Sequence, residues 1–222
     1  MKKIFCFFVL IAPLLMFSSC EWTGYEPSGP MVDGHEYIDL GLSVKWATCN
    51  IGADSPEEYG NYYAWGERSI SDGDAFSYKW FETSGEISYY TKYWSHGKDA
   101  DYKYQLDLSD DVAYTKWGTS WRMPTREEVN ELINECRWYK SSQSGVNGYK
   151  VVGPNGNNIF LPAGGKLSGG NKSLVGEYAY YWSSSLYIDN SMRAYIIHTD
   201  KKEVTCGNAE RYVALPIRPV KR

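Results

Sequence analysis

What the sequence lacks narrows it first. It has no excess of basic charge: 23 Lys and Arg stand against 27 Asp and Glu, a net charge of −4 at pH 7. A nucleic-acid surface needs a basic stripe, so no nucleic-acid partner is expected. Histidine is scarce, with 3 residues in 222, and His35, His96 and His198 lie far apart in the chain. No Cys-x-x-Cys pair or Cys/His spacing of a zinc site occurs, so neither a metal nor a cofactor is expected. No Gly-x-Ser-x-Gly elbow is present, and Ser183, Ser184 and Ser185 read as a polar strand end. No apolar run reaches the roughly 20 residues a membrane-spanning helix requires. No tandem repeat is visible.

The N-terminus has the form of a processed leader. Met1-Lys2-Lys3 is a short positive segment, and Ile4 to Phe17 is nearly all apolar but too short to span. It ends in Ser18-Ser19-Cys20. Small residues before a Cys directly after such a segment resemble the bacterial lipobox. The expectation is therefore a lipoprotein signal peptide over residues 1–19 and lipidation of Cys20. The acyl chains would be the sole membrane attachment, at about 0.8 kcal/mol per buried CH₂. Residues 20–33, with Pro27, Ser28, Gly29 and Pro30, read as a flexible tether. The domain proper is expected over residues 34–222. Localisation follows as the cell envelope, on the outer membrane.

Of the 5 cysteines, Cys6 leaves with the leader and Cys20 is assigned to lipid. Cys49, Cys136 and Cys206 remain, an odd number. Buried structural thiols or one bridge, Cys49 with Cys136, are the two readings for an exported chain.

The body is aromatic, with 20 Tyr and 9 Trp. Residues 35–48 read as two short strands about Gly41. Residues 67–108 alternate polar turn residues with aromatics and hold no helical period. They read as a long irregular excursion pinned by its own rings. Ser109 is expected to cap a short helix that ends near Trp117-Gly118. Thr125 and Glu128 form a capping box. Val129, Leu132, Ile133 and Cys136 then fall on one face, which predicts a helix over 126–137. After it the pattern is β: a hairpin from 149–152 and 158–161, strands over 178–184 and 193–199, and a last strand over 212–220 with Pro216 and Pro219 in it. Trp46, Trp65, Trp117, Trp121 and Trp182 read as core.

Seven blocks occur in order: Tyr-Ile-Asp-Leu-Gly-Leu (37–42), Lys-Trp-Ala-Thr-Cys-Asn-Ile-Gly-Ala (45–53), Tyr-Tyr-Ala-Trp-Gly-Glu (62–67), Trp-Gly-Thr-Ser-Trp-Arg-Met-Pro-Thr-Arg-Glu-Glu (117–128), Asn-Gly-Asn-Asn-Ile-Phe-Leu-Pro-Ala-Gly-Gly (155–165), Tyr-Trp-Ser-Ser-Ser (181–185) and Ile-Arg-Pro-Val (217–220). Over about residues 35–220 the chain thereby resembles the Fibrobacter succinogenes major paralogous domain family of Bacteroidota surface lipoproteins. That family is similar to the C-type-lectin-like superfamily, in the branch of formylglycine-generating enzymes and retroelement variable proteins. The resemblance implies an α+β, C-type-lectin-like fold: short antiparallel strands, one or two helices and a long irregular loop region.

Each activity that the resemblance brings needs its own residues. The formylglycine oxidase needs a cysteine pair near the C-terminus, and only Cys206 lies there. Calcium-dependent lectins use Glu-Pro-Asn or Gln-Pro-Asp; Glu26-Pro27-Ser28 and Gly153-Pro154-Asn155 each lack a member. Asp72 with Asp74, and Asp107 with Asp110 and Asp111, read as loop acids or helix caps. In variable proteins of this fold the ligand is met by C-terminal loops, which by position implies Tyr187, Asp189, Asn190, Arg193, Asn208 and Arg211. The aromatic excursion adds Tyr90 and Trp94 as ligand-binding candidates. The functional expectation is a non-enzymatic, lipid-anchored envelope protein that binds a glycan or protein. A structural subunit of a surface complex is the second reading and an enzyme the third.

Overall fold

The computed structural model describes residues 26–84, 87–95 and 100–221. The leader and Cys20 lie outside the described residues. Among the described residues the architecture is mostly antiparallel β-sheet with two α-helices, an α+β fold of short strands.

The body begins before residue 34. The Glu36 carboxylate accepts from the backbone N–H of Ser28 at 2.9 Å and from that of Gly29. The carbonyl of Pro30 accepts from Tyr37 N–H at 3.0 Å. Strand β1 (Met31–Val32) then pairs with β2 (His35–Ile38). The tether expected over 20–33 does not include residues 28–32, because Glu36 and the edge of β2 give these residues backbone partners in the body. Strand β2 pairs with β3 (Lys45–Ala47).

Among its described residues the excursion pairs β4 (Phe81–Ser84) with β5 (Ile87–Tyr90). It closes in a 3₁₀ turn, Leu108–Asp110, before α1 (Val112–Trp117). The cap of α1 is Asp111 and not Ser109: its carboxylate accepts from Ala113 and Tyr114 N–H. Ser109 is taken up inside the 3₁₀ turn. Strand β6 (Trp121–Arg122) leads to α2 (Arg126–Glu135), which carries both halves of the expected capping box. Thr125 Oγ1 accepts from Glu128 N–H at 3.3 Å, and the Glu128 carboxylate accepts from Thr125 N–H at 2.8 Å. Helix α2 buries Val129 and Leu132. It stops short of 137 because Arg137 opens the next strand.

That strand is β7 (Arg137–Gln143), and it forms a three-stranded sheet with β8 (Val146–Val152) and β9 (Asn158–Pro162). The short hairpin β10 (Lys166–Ser168) and β11 (Asn171–Ser173) follows. A second three-stranded sheet holds β12 (Tyr180–Leu186), β13 (Arg193–Thr199) and β14 (Val204–Glu210). Strand β15 (Val220–Lys221) inserts between β3 and β6, giving a five-stranded sheet in the order β1-β2-β3-β15-β6. The stretch before it is no continuous strand. Its ladder is reduced to isolated bridges, Leu215 with Tyr63 and Ala214 with Leu167, where Pro216 and Pro219 supply no N–H.

Two apolar clusters fill the interior. One gathers Trp65, Trp80, Tyr93, Trp117, Trp121 and Trp182. The other seats α2 on the sheets through Trp46, Val129, Leu132, Val151, Leu161 and Ile197. The five tryptophans read as core are all buried. Arg218, also buried, donates to Asn50 Oδ1 at 2.7 Å and to the carbonyls of Ala47 and Phe160 at 3.1 Å each, tying the two halves of the chain.

Candidate functional site: the loop face

One buried cation makes several of the contacts that hold the excursion. Arg211, directly after β14, is 0% exposed. Its Nε donates to Tyr78 Oη at 3.0 Å and its other nitrogens to the carbonyls of Lys92 (2.9 Å), Ser191 (3.1 Å) and Tyr93 (3.2 Å). Aromatic rings surround the guanidinium, with Tyr90 at 4.6 Å, Trp65 at 5.1 Å and Tyr78 at 5.4 Å. Cation–π attraction of this kind is strongest where water is excluded. Burial pushes the Tyr78 phenol far up, so it stays protonated.

Gly66 lets the rings close. Its φ is +76°, and a Cβ there would stand 2.4 Å from the Trp80 ring. Behind Trp80, Asp110 accepts from Lys92 at 2.5 Å, Tyr93 Oη at 2.7 Å and Lys79 at 3.0 Å. Burial acts to raise the Asp110 carboxyl, but these donors outweigh it and hold it below the usual Asp range. Asp107 takes Lys92 and Lys103, and Asp111 caps α1. The three acids are therefore already spent on lysines and amides.

The predicted ligand residues come together around this clamp, with different fates. Tyr90 stacks on Trp94 at 5.9 Å and faces Arg211. Tyr90 is buried, and Arg211 completely so; both serve as clamp, out of reach of a surface ligand. That corrects their expected role. Trp94 is half-buried. Asn190, Tyr187 and Arg193 shape the β12–β13 turn through backbone bonds: Asn190 N–H to Tyr187 O, Arg193 N–H to Asn190 O and Tyr187 N–H to Arg193 O. The Arg193 side chain pairs with Glu210 at 3.0 Å.

Beside that turn opens a cleft of about 300 Å³, lined by Tyr104, Gln105, Arg126, Glu127, Ser185, Leu186, Ile188 and Tyr195. Three elements build it. The end of the excursion runs along β12, with Leu106 N–H to Ser184 O at 2.9 Å and Leu186 N–H to Tyr104 O at 2.8 Å. The start of α2 is fixed by Arg126 N–H to Ser185 Oγ at 3.0 Å. The Arg126 guanidinium lies 4.4 Å over the Tyr195 ring, which Tyr187 meets edge-on at 5.1 Å. Ile188 is 58% exposed and Tyr104 42%. Sequence reasoning reached Tyr187 on the rim. It missed Tyr104, Gln105 and Arg126, which converge only through the fold.

The thiols are free. Cys49, Cys136 and Cys206 form no disulfide, so the Cys49–Cys136 bridge is corrected to separate thiols. Cys136 and Cys206 line the α2 core, whereas Cys49 lies beside Thr48, near Arg218. Burial pushes all three up, Cys136 to about 11, which keeps them protonated and weakly nucleophilic. Among the described residues no group of three His, Cys, Asp or Glu could hold a metal ion, and no helix is long and apolar enough to cross a membrane. No protein-family model, curated protein or solved structure matches the chain.

Proposed function

We propose that this chain is a lipid-anchored binding protein of the cell envelope, with a C-type-lectin-like body that recognises a glycan in the loop-face cleft. The observation that carries the reading is the composition of that cleft. Gln105, Arg126, Glu127 and Ser185 offer planar or hydroxyl hydrogen-bonding groups beside the exposed Tyr104 ring. Sugars are bound by such a mixture, polar groups at their hydroxyls and an aromatic ring under an apolar face. Rigidity supports it too. Arg211 and the Asp110 network order the loops in advance, so little entropy is lost on binding. The body's short antiparallel strands, two helices and long packed excursion accord with the resemblance read from the sequence blocks.

The test is a glycan panel against the full chain in detergent, with and without a calcium chelator. Chelator-resistant binding that Tyr104→Ala and Arg126→Ala each abolish supports the reading. Silence across the panel at high protein concentration would refute it. The anchor is tested separately: Cys20→Ala releases a folded protein from the membrane fraction. The exposed Ile188 and Met192 on the β12–β13 turn favour the second reading, a subunit of a surface complex. Co-purification of a stoichiometric partner that Ile188→Asp displaces would establish it.

A further inference from the structure

We propose that the outer edge of β7 is a protein-interaction surface that takes an extended acidic segment of a partner protein as an added strand. Strand β7 lies at the edge of its sheet, whose order is β7-β8-β9. It pairs with β8 over its whole length, from Arg137↔Val152 to Gln143↔Val146. The loop between them is Ser144 and Gly145, with φ of +48° and +80°. That is the two-residue hairpin turn with positive φ at both positions. It makes the flanking pair, Gln143 and Val146, a hydrogen-bonded one. Bonded pairs recur at every second residue, so Ser141, Tyr139 and Arg137 also bond to β8. The far side of β8 agrees: the Asn147 carbonyl accepts from Ala163 N–H at 2.9 Å, which leaves the Gly148 backbone for Ser141. The N–H and C=O groups of Trp138, Lys140 and Ser142 therefore point outward. Among the described residues none of them has a backbone partner. Lys140 and Ser142 are exposed.

Sheet edges are ordinarily blunted by shortness, proline, a bulge or charge. Strand β7 is 7 residues long and holds no proline, and its register with β8 runs without a shift. Charge is what remains, and it has one sign. Residues 137–152 carry Arg137, Lys140 and Lys150 and no acid, in a chain of net charge −4. All three cations are exposed and enter no ion pair among the described residues. The Lys140 ammonium donates to the Lys201 carbonyl at 3.2 Å, a neutral group that leaves its charge unanswered. Glu57, at the turn end of the strand, is engaged by Gln143 Nε2 at 3.2 Å. This charge selects the occupant. A second copy aligned antiparallel over the full strand would set Lys140 directly opposite its own counterpart, and like charges so placed destabilise a pair. A strand bearing Glu or Asp meets the cations instead, with main-chain bonds supplying affinity and the charges supplying choice of sequence. Tyr139, 50% exposed, offers a ring to a neighbouring side chain of the added strand. The edge shares no residue with the loop-face cleft.

The probe is a fluorescein-labelled, amidated heptapeptide of alternating Thr and Glu, titrated with the full chain in detergent and read by anisotropy. It should bind at least about tenfold more tightly than its counterpart with Lys for Glu, and more weakly as salt is raised. A fully N-methylated version keeps the charge and side chains but donates no N–H, and should lose about tenfold or more. Ser142→Pro removes one outward N–H and no bond to β8. It should weaken binding about fivefold or more while the melting temperature stays close to that of the natural chain. Lys140→Glu should reverse the preference between the acidic and lysine peptides. The proposal is overturned if the acidic peptide does not bind, if the lysine or N-methylated version binds as well, or if a folded Ser142→Pro protein binds as well. If Ser142→Pro does not fold, the N-methylated peptide decides. A dimer of the chain in sedimentation that Ser142→Pro dissociates would give the edge to a second copy and equally overturn the proposal.

Discussion

Arg211→Met tests how much of the order of the excursion rests on one buried cation. Methionine matches much of the length and apolar volume of the side chain but donates nothing. Four hydrogen bonds disappear, to Tyr78 Oη and the carbonyls of Lys92, Tyr93 and Ser191. At about 1.5–3 kcal/mol for each charge-assisted bond the gross loss is roughly 6–12 kcal/mol. An apolar replacement no longer needs a charge taken out of water, which returns several kcal/mol. The expected net loss is about 3–5 kcal/mol. Urea unfolding gives the total. Hydrogen exchange gives its location: amides in Thr91–Ser95 and in the β12–β13 turn should lose protection first, since the clamp's carbonyls lie there. Arg211→Lys keeps the charge without the planar fork and should recover only part of the loss. A loss below about 1 kcal/mol, with exchange unchanged in both segments, would refute the clamp.

Other substitutions probe single contacts. Gly66→Ala forces a Cβ to within 2.4 Å of the Trp80 ring at a φ of +76°. A strain-free glycine-to-alanine change stabilises by up to about 1 kcal/mol, whereas this one should destabilise by more than about 1 kcal/mol, read as a fall in melting temperature. Thr125→Ala removes the α2 cap and should cost about 1 kcal/mol in urea unfolding. Trp121→Ala should cost about 3–5 kcal/mol, its ring being buried and its Nε1–H bonded to the Val32 carbonyl at 3.2 Å. The Asp110 network sets an acid limit. Because its folded pKa is lowered, the stability it contributes is present above the unfolded Asp value and is lost as pH falls through the folded one. Melting temperatures followed into acid should show that loss, and Lys92→Met should flatten it.

Local rules were legible wherever local chemistry decides. The Thr125–Glu128 box and the face of Val129 and Leu132 specify α2 without help from the rest of the chain. The strand expected over 193–199 is β13, buried on both faces, and the turn residues 153–157 sit between β8 and β9. Strand β14 was invisible because Val-Thr-Cys-Gly-Asn-Ala-Glu neither alternates nor runs apolar. Its residues are all half-buried, β13 supplies the pairing, and α2 packs against it through Val204 and Cys206. Arg211 was read as a surface ligand contact because arginine is rarely buried, and nothing nearby in sequence announces the rings that accept it. Its partners lie 118 to 133 residues upstream, apart from Ser191. The cleft residues Tyr104, Arg126 and Ser185 likewise meet only after β12, α2 and the excursion have docked.

The place of β15 bears on how the chain can assemble itself. Val220 pairs with Trp46 on one side and Arg122 on the other, so the strand that joins β3 to β6 is made well after both of them. Pairings across such separations close slowly. Until residue 220 is present, β3 and β6 face each other across an empty lane, and both keep open edges. An unpaired strand edge beside apolar side chains is the kind of surface that holding chaperones bind. The β1-β2-β3 part of the sheet can thus form early, while β6 joins it only when β15 fills the lane between them.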